Sequence, residues 1–199
     1  MYRFRPERIQ AIATARGLDP KQILQKILVA KALDSDAQES CIEAACFKID
    51  FEHANSNSSN NKKIKLLIVD SIINDYKAEY AERSKLREKI QRLDKSMHML
   101  LKTASSNTVA VVVTNHQMQS SVDGFDNRVV PLGSNVMSYA SKYRIHLDGR
   151  YPDRRRAKLD LSPCHPQADI SFAIDPGGFT DAGDGKDTVY KAIGKKAYT

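Results

Sequence analysis

No apolar run in the sequence approaches the roughly 20 residues that a membrane-spanning helix needs. The amino terminus also lacks the apolar segment of a signal peptide. Tryptophan is absent. The three cysteines, Cys41, Cys46 and Cys164, have neither the even count of a disulfide framework nor the spacing of zinc ligands. These absences predict a soluble protein of the reducing cytoplasm.

The sequence also contains no phosphate-cradling loop of the form G-x-x-x-x-G-K-[ST] between a strand and a helix. Gly185-Lys186 and Gly194-Lys195 lack both the earlier glycine and the following serine or threonine. Without the backbone N–H groups and the lysine of such a loop, triphosphate binding loses its main electrostatic contribution. No G-x-S-x-G motif or cysteine–histidine pairing indicates nucleophilic catalysis.

The sequence does contain a surplus of basic residues. It has 31 lysines and arginines against 24 aspartates and glutamates, which gives a formal net charge of +7 and a pI near 9.3. A surplus of this size favours a polyanionic partner, with nucleic acid ahead of an anionic membrane. The length of 199 residues is that of one domain.

Strand and helix patterns alternate through the first two-thirds of the chain, and short strands then follow one another. This order predicts a three-layer α/β fold with parallel central strands and an antiparallel carboxyl-terminal extension. The predicted helices begin at Pro6, at Pro20 with Asp19 as its cap, and cover 35–53, 83–105 and 133–141. The predicted strands are Ile27–Ala30, 64–69, 109–114, 142–148, 156–161 and 169–174; polar loops cover 54–62 and 116–132, and a loose basic tail covers 182–199.

The apolar run at 64–69 is typical of a strand in a parallel sheet that is covered on both faces. It is followed by Asp70 and Ser71. In phosphate-binding α/β folds, a carboxylate at this place orients Mg²⁺ through its water shell, because the metal prefers oxygen ligands. The alternative is that Asp70 or Ser71 only caps the following helix.

A second apolar run, Val109 to Thr114, is followed by Asn115. Adjacent parallel strands place the polar residues that follow them in one crevice, where the ligands of open α/β sheets collect. The sequence therefore predicts that Asp70 and Asn115 lie side by side. The alternative is an ordinary turn that ends the strand.

Two segments carry residues suited to a nucleic-acid backbone. Arg83 and Lys89 follow Tyr80 at the entry of the predicted long helix, and basic side chains beside an aromatic suit phosphates. A solvated helix face with interleaved glutamates is the alternative. Phe125 and Arg128 lie in a loop with a glycine hinge, which either orders on a ligand or is simply a loop.

Taken in order, these pieces resemble the RadA recombinases, the archaeal members of the RecA family, and are closest in character to the thaumarchaeal ones. The resemblance covers roughly residues 3–181. The matching stretches are Phe4–Ile9, Arg16–Pro20, Leu66–Ser71, Met97-His98, Ala110–Asn115, Asn135–Met137, Ala140–Arg144 and Ser162–Pro166.

The resemblance implies a DNA-dependent ATPase core with ATP and Mg²⁺ as cofactors. Such a core assembles with RadA-like subunits into filaments on single-stranded DNA and exchanges strands with double-stranded DNA, in repair and recombination at the nucleoid. The implied nucleotide residues are Arg8 on adenine, Asp70 as the Walker B aspartate next to Ser71, Asn115 in the segment that senses the γ-phosphate, and Pro166 in the cap laid over ATP by a neighbouring subunit. The implied DNA residues are Arg83 and Lys89 in the first DNA-binding loop, and Phe125 and Arg128 in the second.

The family pattern is incomplete in this sequence. Met1 stands at the place of the catalytic glutamate, and the Walker A strand, the polymerisation motif and the amino-terminal helix-hairpin-helix domain would precede it. His116 separates Asn115 from Gln117, and Leu161 stands where the family has an acidic residue. The expectation is a RecA-like core over residues 1–181, truncated at its amino end and without ATPase activity alone.

Two functions stay open from the sequence. The chain is a partial RadA recombination ATPase, or it is a non-catalytic RadA-like paralogue that binds DNA or contacts a filament. A non-functional remnant is a third possibility. If central strands are missing, the remaining sheet should expose apolar faces or open edges.

Overall fold

The computed structural model describes residues 4–55, 63–79, 85–122, 126–131, 133–149 and 155–181. The chain divides into two compact units. Met1–Val29 and Lys142–Thr199 belong to unit 1, and Ala30–Ser141 forms unit 2. Within the described ranges, no helix is long and apolar enough to cross a bilayer. The predicted tail at 182–199 and most of the predicted loop at 54–62 lie outside the described residues.

The elements combine a parallel pair of strands, an antiparallel hairpin and a four-stranded antiparallel sheet, which agrees with the predicted RecA-like α/β class. In chain order they are α1 (Pro6–Ala15), α2 (Pro20–Leu24), α3 (Ser35–Ala54), β1 (Leu66–Val69), α4 (Asn74–Glu79), α5 (Leu86–Asn107), β2 (Ala110–Val113), β3 (Gln117–Val122), β4 (Asp126–Pro131), α6 (Ser134–Ala140), β5 (Arg144–Asp148), β6 (Arg155–Leu161), β7 (Ala168–Asp175) and β8 (Gly178–Asp181).

Unit 2 is organised around one hydrophobic core between α3, α5 and α6. The apolar residues of these helices recur at helical spacing, so that each helix turns one stripe inward. The buried members are Ile42, Cys46, Ile72, Ile73, Tyr76, Leu93, Met97, Leu100, Val136 and Met137. This core confirms the predicted helices at 35–53, 83–105 and 133–141, with α5 beginning at Leu86 and ending at Asn107.

Strands β1 and β2 pair in parallel, with Val69 opposite Val113. Alternate residues of the pair, such as Leu67 and Val111, pack against the core. The others, Leu66, Ile68 and Val112, are exposed. The prediction that both faces of this run are covered was therefore wrong, because the described helices pack on one face only. The exposed apolar face confirms the expectation of an uncovered sheet surface.

Polar contacts join α3 to α5 beside the core. Arg92 on α5 forms ion pairs with Asp36 and, at 2.7 Å, with Glu39. The Tyr76 hydroxyl donates to Glu39 Oε1 at 2.7 Å, and the Arg92 guanidinium lies 5.8 Å from the centre of the Tyr76 ring. Burial, more than any neighbouring charge, raises the pKa of Tyr76 well above its usual value. The network therefore joins α3, α4 and α5 at one side of the core.

The segment predicted as a polar loop at 116–132 is a hairpin instead. β3 and β4 pair in antiparallel register, with Ser120 opposite Arg128 and Val122 opposite Asp126. The polar composition of Gln117–Val122 gave no apolar alternation from which a strand could be predicted, and backbone hydrogen bonds form the hairpin without it.

Unit 1 begins with two short helices that follow their predicted signals. Pro6 starts α1, and Gly17 follows it with φ of +68°, a left-handed conformation that glycine adopts at little cost. Asp19 caps α2 by accepting a hydrogen bond from the Lys21 N–H at 2.9 Å. The predicted strand Ile27–Ala30 was wrong: these residues follow the last turn of α2 as irregular chain, with Leu28 and Val29 exposed.

The sheet of unit 1 has strand order β5-β6-β7-β8, so the sequence missed β8, which follows a turn at Pro176-Gly177. The registers place apolar residues on one side of this sheet and ion pairs on the other. On the polar side, the Arg156 hydrogen bond holds the pKa of Asp169 below its usual value. The opposite side, called here the apolar face of unit 1, exposes Ile145, Leu147, Ile170, Ile174 and Phe179.

Candidate functional site

The predicted site residues of unit 2 meet at the carboxyl ends of β1 and β2. Because Val69 lies opposite Val113, Asp70 lies beside Thr114, and Asn115 follows directly. The Thr114 N–H donates to the Val69 carbonyl at 3.1 Å. The Thr114 hydroxyl donates to Asp70 Oδ1 at 2.6 Å. The prediction that Asp70 and Asn115 lie at neighbouring strand ends is confirmed. Asp70, Ser71, Thr114 and Asn115 are called the Asp70 edge below.

The chain beyond Asp70 is fixed by contacts that the sequence did not indicate. The Ile72 N–H donates to the Thr114 carbonyl at 3.1 Å. The buried Gln38 side chain of α3 donates from Nε2 to the Ile72 carbonyl at 3.1 Å. The segment is therefore held by two hydrogen bonds at Ile72 and by the full burial of Ile72 and Ile73. Gln38 is therefore a positioning residue for Asp70, and only the tertiary structure reveals it.

Two further oxygens lie at the Asp70 edge. The Asn115 side chain accepts a hydrogen bond from the His116 N–H at 2.8 Å, which orients its amide. The Ser71 hydroxyl is buried and has no hydrogen-bond partner among the described residues. The peptide bond between Asp70 and Ser71 is cis. The edge thus combines one carboxylate with hydroxyl and amide groups.

The donor chemistry of the Asp70 edge fits Mg²⁺. Oxygen ligands are what this ion prefers, and it commonly keeps several waters while protein supplies one or two carboxylates. Among the described residues, no group of three or more histidine, cysteine, aspartate or glutamate side chains could hold a metal. A water-surrounded Mg²⁺ needs only Asp70 from the protein, so the Asp70 edge fits such an ion.

Arg8 and Pro166, the other predicted nucleotide residues, belong to unit 1. The Arg8 guanidinium donates to the carbonyls of Pro176, at 3.0 Å, and Asp175, at 2.5 Å. Both hydrogen bonds lie at the edge of the guanidinium plane. They do not use its two faces, which have the flat shape that stacks on an aromatic ring. Pro166 is exposed in the loop between β6 and β7.

Among the predicted DNA residues, Lys89 is described in full. Burial lowers the pKa of the Lys89 ammonium, and the neighbouring positive charge of Lys77 lowers it further. Arg128 lies in β4, opposite Ser120. Arg83 and Phe125 lie outside the described residues. The structure therefore describes Lys89 near the start of α5, where the positive charge of Lys77 acts on it.

Two comparisons with known proteins bear on the family of the chain. The model of the Rad51 family matches residues 2–182. The chain is 32% identical over 179 residues to the DNA repair and recombination protein RadA of Metallosphaera sedula. That alignment covers 90% of this chain and 52% of the relative, so the chain spans about half the length of the curated relative it matches.

The family match covers both units, and the Asp70 edge of unit 2 lies inside it. The order of motifs, the parallel strand ends and the similarity over most of the chain thus point to one conclusion. The chain belongs to the Rad51 family, the group of RadA-like recombinases that its sequence resembles.

Proposed function

We propose that the chain acts in DNA repair and homologous recombination as a RadA-like module that binds single-stranded DNA and joins RadA-like subunits in a filament. The observation that carries this proposal is the Asp70 edge, where Asp70 and Asn115 lie at adjoining parallel strand ends inside the matched Rad51 region. The relative from Metallosphaera sedula is named for DNA repair and recombination.

In this proposal the Asp70 edge supplies the metal side of an ATP site. Asp70, held by the Thr114 hydroxyl, would orient the water shell of Mg²⁺, and Asn115 would contact the terminal phosphate. When bound, Mg²⁺ neutralises phosphate charge. Arg8 stacks on the adenine, and Pro166 covers the nucleotide of a neighbouring subunit. Gln38 keeps the segment after Asp70 in place through the Ile72 carbonyl.

The second candidate is a non-catalytic paralogue that binds DNA or a filament without turning over ATP. It is favoured by two departures from the family pattern inside the chain: His116 separates Asn115 from Gln117, and Leu161 stands where the family has an acidic residue. Residues 1–199 also contain no phosphate-cradling loop. Phosphoryl transfer needs a phosphate cradle and a group that positions water, in addition to the metal. We therefore expect no ATP hydrolysis by this chain alone under either proposal.

DNA contact is supported by charge. The net charge of +7 favours a polyanion, and Lys77 and Lys89 lie close enough that one lowers the pKa of the other. A phosphate between them would relieve this repulsion. Arg83, Phe125 and Arg128 are the further DNA residues of the proposal. In this proposal these residues contact DNA of the nucleoid, in the cytoplasm.

A salt titration of single-stranded DNA binding tests the DNA contact. Lys89→Gln should weaken binding and reduce the slope of log K against log salt by about 1, as loss of one phosphate contact does. Lys102→Gln is the matched control, because Lys102 is an exposed lysine of the same helix. Absence of binding at low salt, or equal losses in both variants, would contradict the proposal.

The ATP-side proposal is tested in a mixed assembly. The chain is combined with a full-length RadA protein, single-stranded DNA and Mg²⁺-ATP, and its co-sedimentation with the filament is measured. Asp70→Asn should reduce the Mg²⁺-ATP-dependent fraction at least about tenfold, whereas Asp94→Asn, an exposed aspartate of α5, should not. Co-sedimentation that is independent of nucleotide and unaffected by Asp70→Asn would favour the non-catalytic paralogue.

A further inference from the structure

The structure brings a nucleophile and a base together outside the Asp70 edge. Cys164 lies in the loop between β6 and β7 and is exposed. Its Sγ lies 3.1 Å from Nδ1 of His165 and 3.4 Å from Oη of Tyr143. Cys164 and His165 are adjacent in the sequence, which by itself did not indicate that their side chains meet. Tyr143 lies 21 residues before Cys164, so only the fold brings its hydroxyl to the thiol.

The loop backbone holds the thiol and the imidazole on the same side. The Ser162 hydroxyl accepts hydrogen bonds from the N–H groups of Cys164, at 3.3 Å, and His165, at 2.9 Å. The same hydroxyl lies 3.4 Å from His165 Nδ1. A serine that binds the two following N–H groups restricts the turn. The contact between sulfur and imidazole is therefore built into the loop.

The other two cysteines have different surroundings. Cys46 is buried in the core of unit 2, and this burial raises the pKa of its thiol. Cys41 is partly buried on α3. Thiol reactivity requires both access and a group that takes the proton. Cys164 has both, and its hydrogen bond with the Tyr143 hydroxyl raises the pKa of Tyr143.

We propose that Cys164 is a site of reversible thiol modification that takes small disulfides, with His165 as its base. The Cys164 proton passes to His165 Nδ1, in the tautomer that carries its own proton on Nε2. The thiolate attacks one sulfur of R–S–S–R, the disulfide bond breaks, and R–S⁻ leaves and takes up the proton. The products are Cys164–S–S–R and R–SH. This site does not depend on the proposed DNA or nucleotide function.

The reaction is measured on the native full chain with glutathione disulfide, and each cysteine is followed by peptide mass spectrometry. We expect Cys164 to form its mixed disulfide about tenfold faster than Cys41, and Cys46 to react slower still. In concentrated urea, where the loop and the core are lost, all three cysteines should react at similar rates.

Variants separate the base from simple exposure. His165→Gln should slow the reaction of Cys164 about three- to tenfold, most strongly below pH 7, where an unassisted thiol is almost wholly protonated. His146→Gln, a histidine of β5 in the same unit, is the matched control and should leave the rate unchanged. If Cys164 reacts no faster than Cys41, or if His165→Gln matches the native rate, the proposal is wrong.

Discussion

The two units differ in where they keep their apolar side chains. Unit 2 buries them in one core between α3, α5 and α6. In unit 1, Ala13 is the one buried hydrophobic side chain among the described residues, while six large apolar residues of its sheet are exposed. Burial of apolar area drives folding. Among the described residues, unit 2 therefore has a core of its own, whereas the large apolar side chains of the unit 1 sheet lie at its surface.

The largest expected effect comes from a matched pair of isoleucines. Ile73 in unit 2 is 0% exposed and Ile174 in unit 1 is 51% exposed. Ile73→Ala should lower the free energy of unfolding by about 3 kcal/mol, because it removes buried carbons and leaves a cavity. Ile174→Ala should cost less than about 1 kcal/mol. Hydrogen exchange of peptides from α5 and β7 measures each unit separately.

Equal losses from the two isoleucine variants would break the comparison. They would mean that the apolar face of unit 1 is covered in solution. If a second copy of the chain covers this face, the loss in free energy of unfolding from Ile174→Ala should depend on protein concentration.

A second pair compares two glycines with the same backbone conformation. Gly133 has φ of +69° and Gly17 has φ of +68°. A Cβ at Gly133 would lie 2.8 Å from Leu93 Cδ2, inside the core, while a Cβ at Gly17 meets no described atom within 4 Å. Gly133→Ala should therefore cost about 2.5 kcal/mol and Gly17→Ala about 1 kcal/mol. Thermal unfolding followed by circular dichroism checks this. Similar losses from the two variants would mean that Leu93 Cδ2 does not lie beside Gly133.

The fold could be predicted where a local signal carries enough information. Asp19 before Pro20 fixed the start of α2, and the apolar stripe of α5 fixed its inward face. The strand predicted at Ile27–Ala30 failed because an apolar run does not reveal whether a partner strand exists. The hairpin of β3 and β4 was missed because its hydrogen bonds are made by the backbone, whatever the side chains are.

The candidate site could be predicted in part for a related reason. Asp70 and Asn115 follow strands whose parallel pairing brings their ends together, and parallel pairing is indicated by apolar runs separated by a helix. Gln38 could not be found, since its contact with the Ile72 carbonyl depends on how α3 packs. The pairing of Tyr143 with Cys164 likewise depends on the position of β5 beside β6.

A third pair compares two arginines that form ion pairs. The side chain of Arg92 in unit 2 is 21% exposed and contacts Glu39, whereas that of Arg156 in unit 1 is 63% exposed and contacts Asp169. Arg92→Met keeps the aliphatic stem but leaves Glu39 without its cation, and should cost about 2 kcal/mol. Arg156→Met should have no measurable effect in urea unfolding at neutral pH. A larger loss from Arg156→Met would show that the polar side of the unit 1 sheet is not solvated.

The smallest expected effect comes from two tyrosines. Tyr76→Phe removes the hydroxyl that donates to Glu39 and should lower the free energy of unfolding by about 1 kcal/mol at pH 8. Tyr143→Phe changes an exposed position and should leave the free energy of unfolding unchanged within error. Burial raises the pKa of Tyr76 above its usual value, so above pH of about 10 the unfolded chain loses a proton that the folded chain keeps. The free energy of unfolding contributed by Tyr76 then falls as pH rises. The difference between the native chain and Tyr76→Phe should therefore shrink between pH 8 and pH 11, and a constant difference would mean that the Tyr76 hydroxyl is accessible to water.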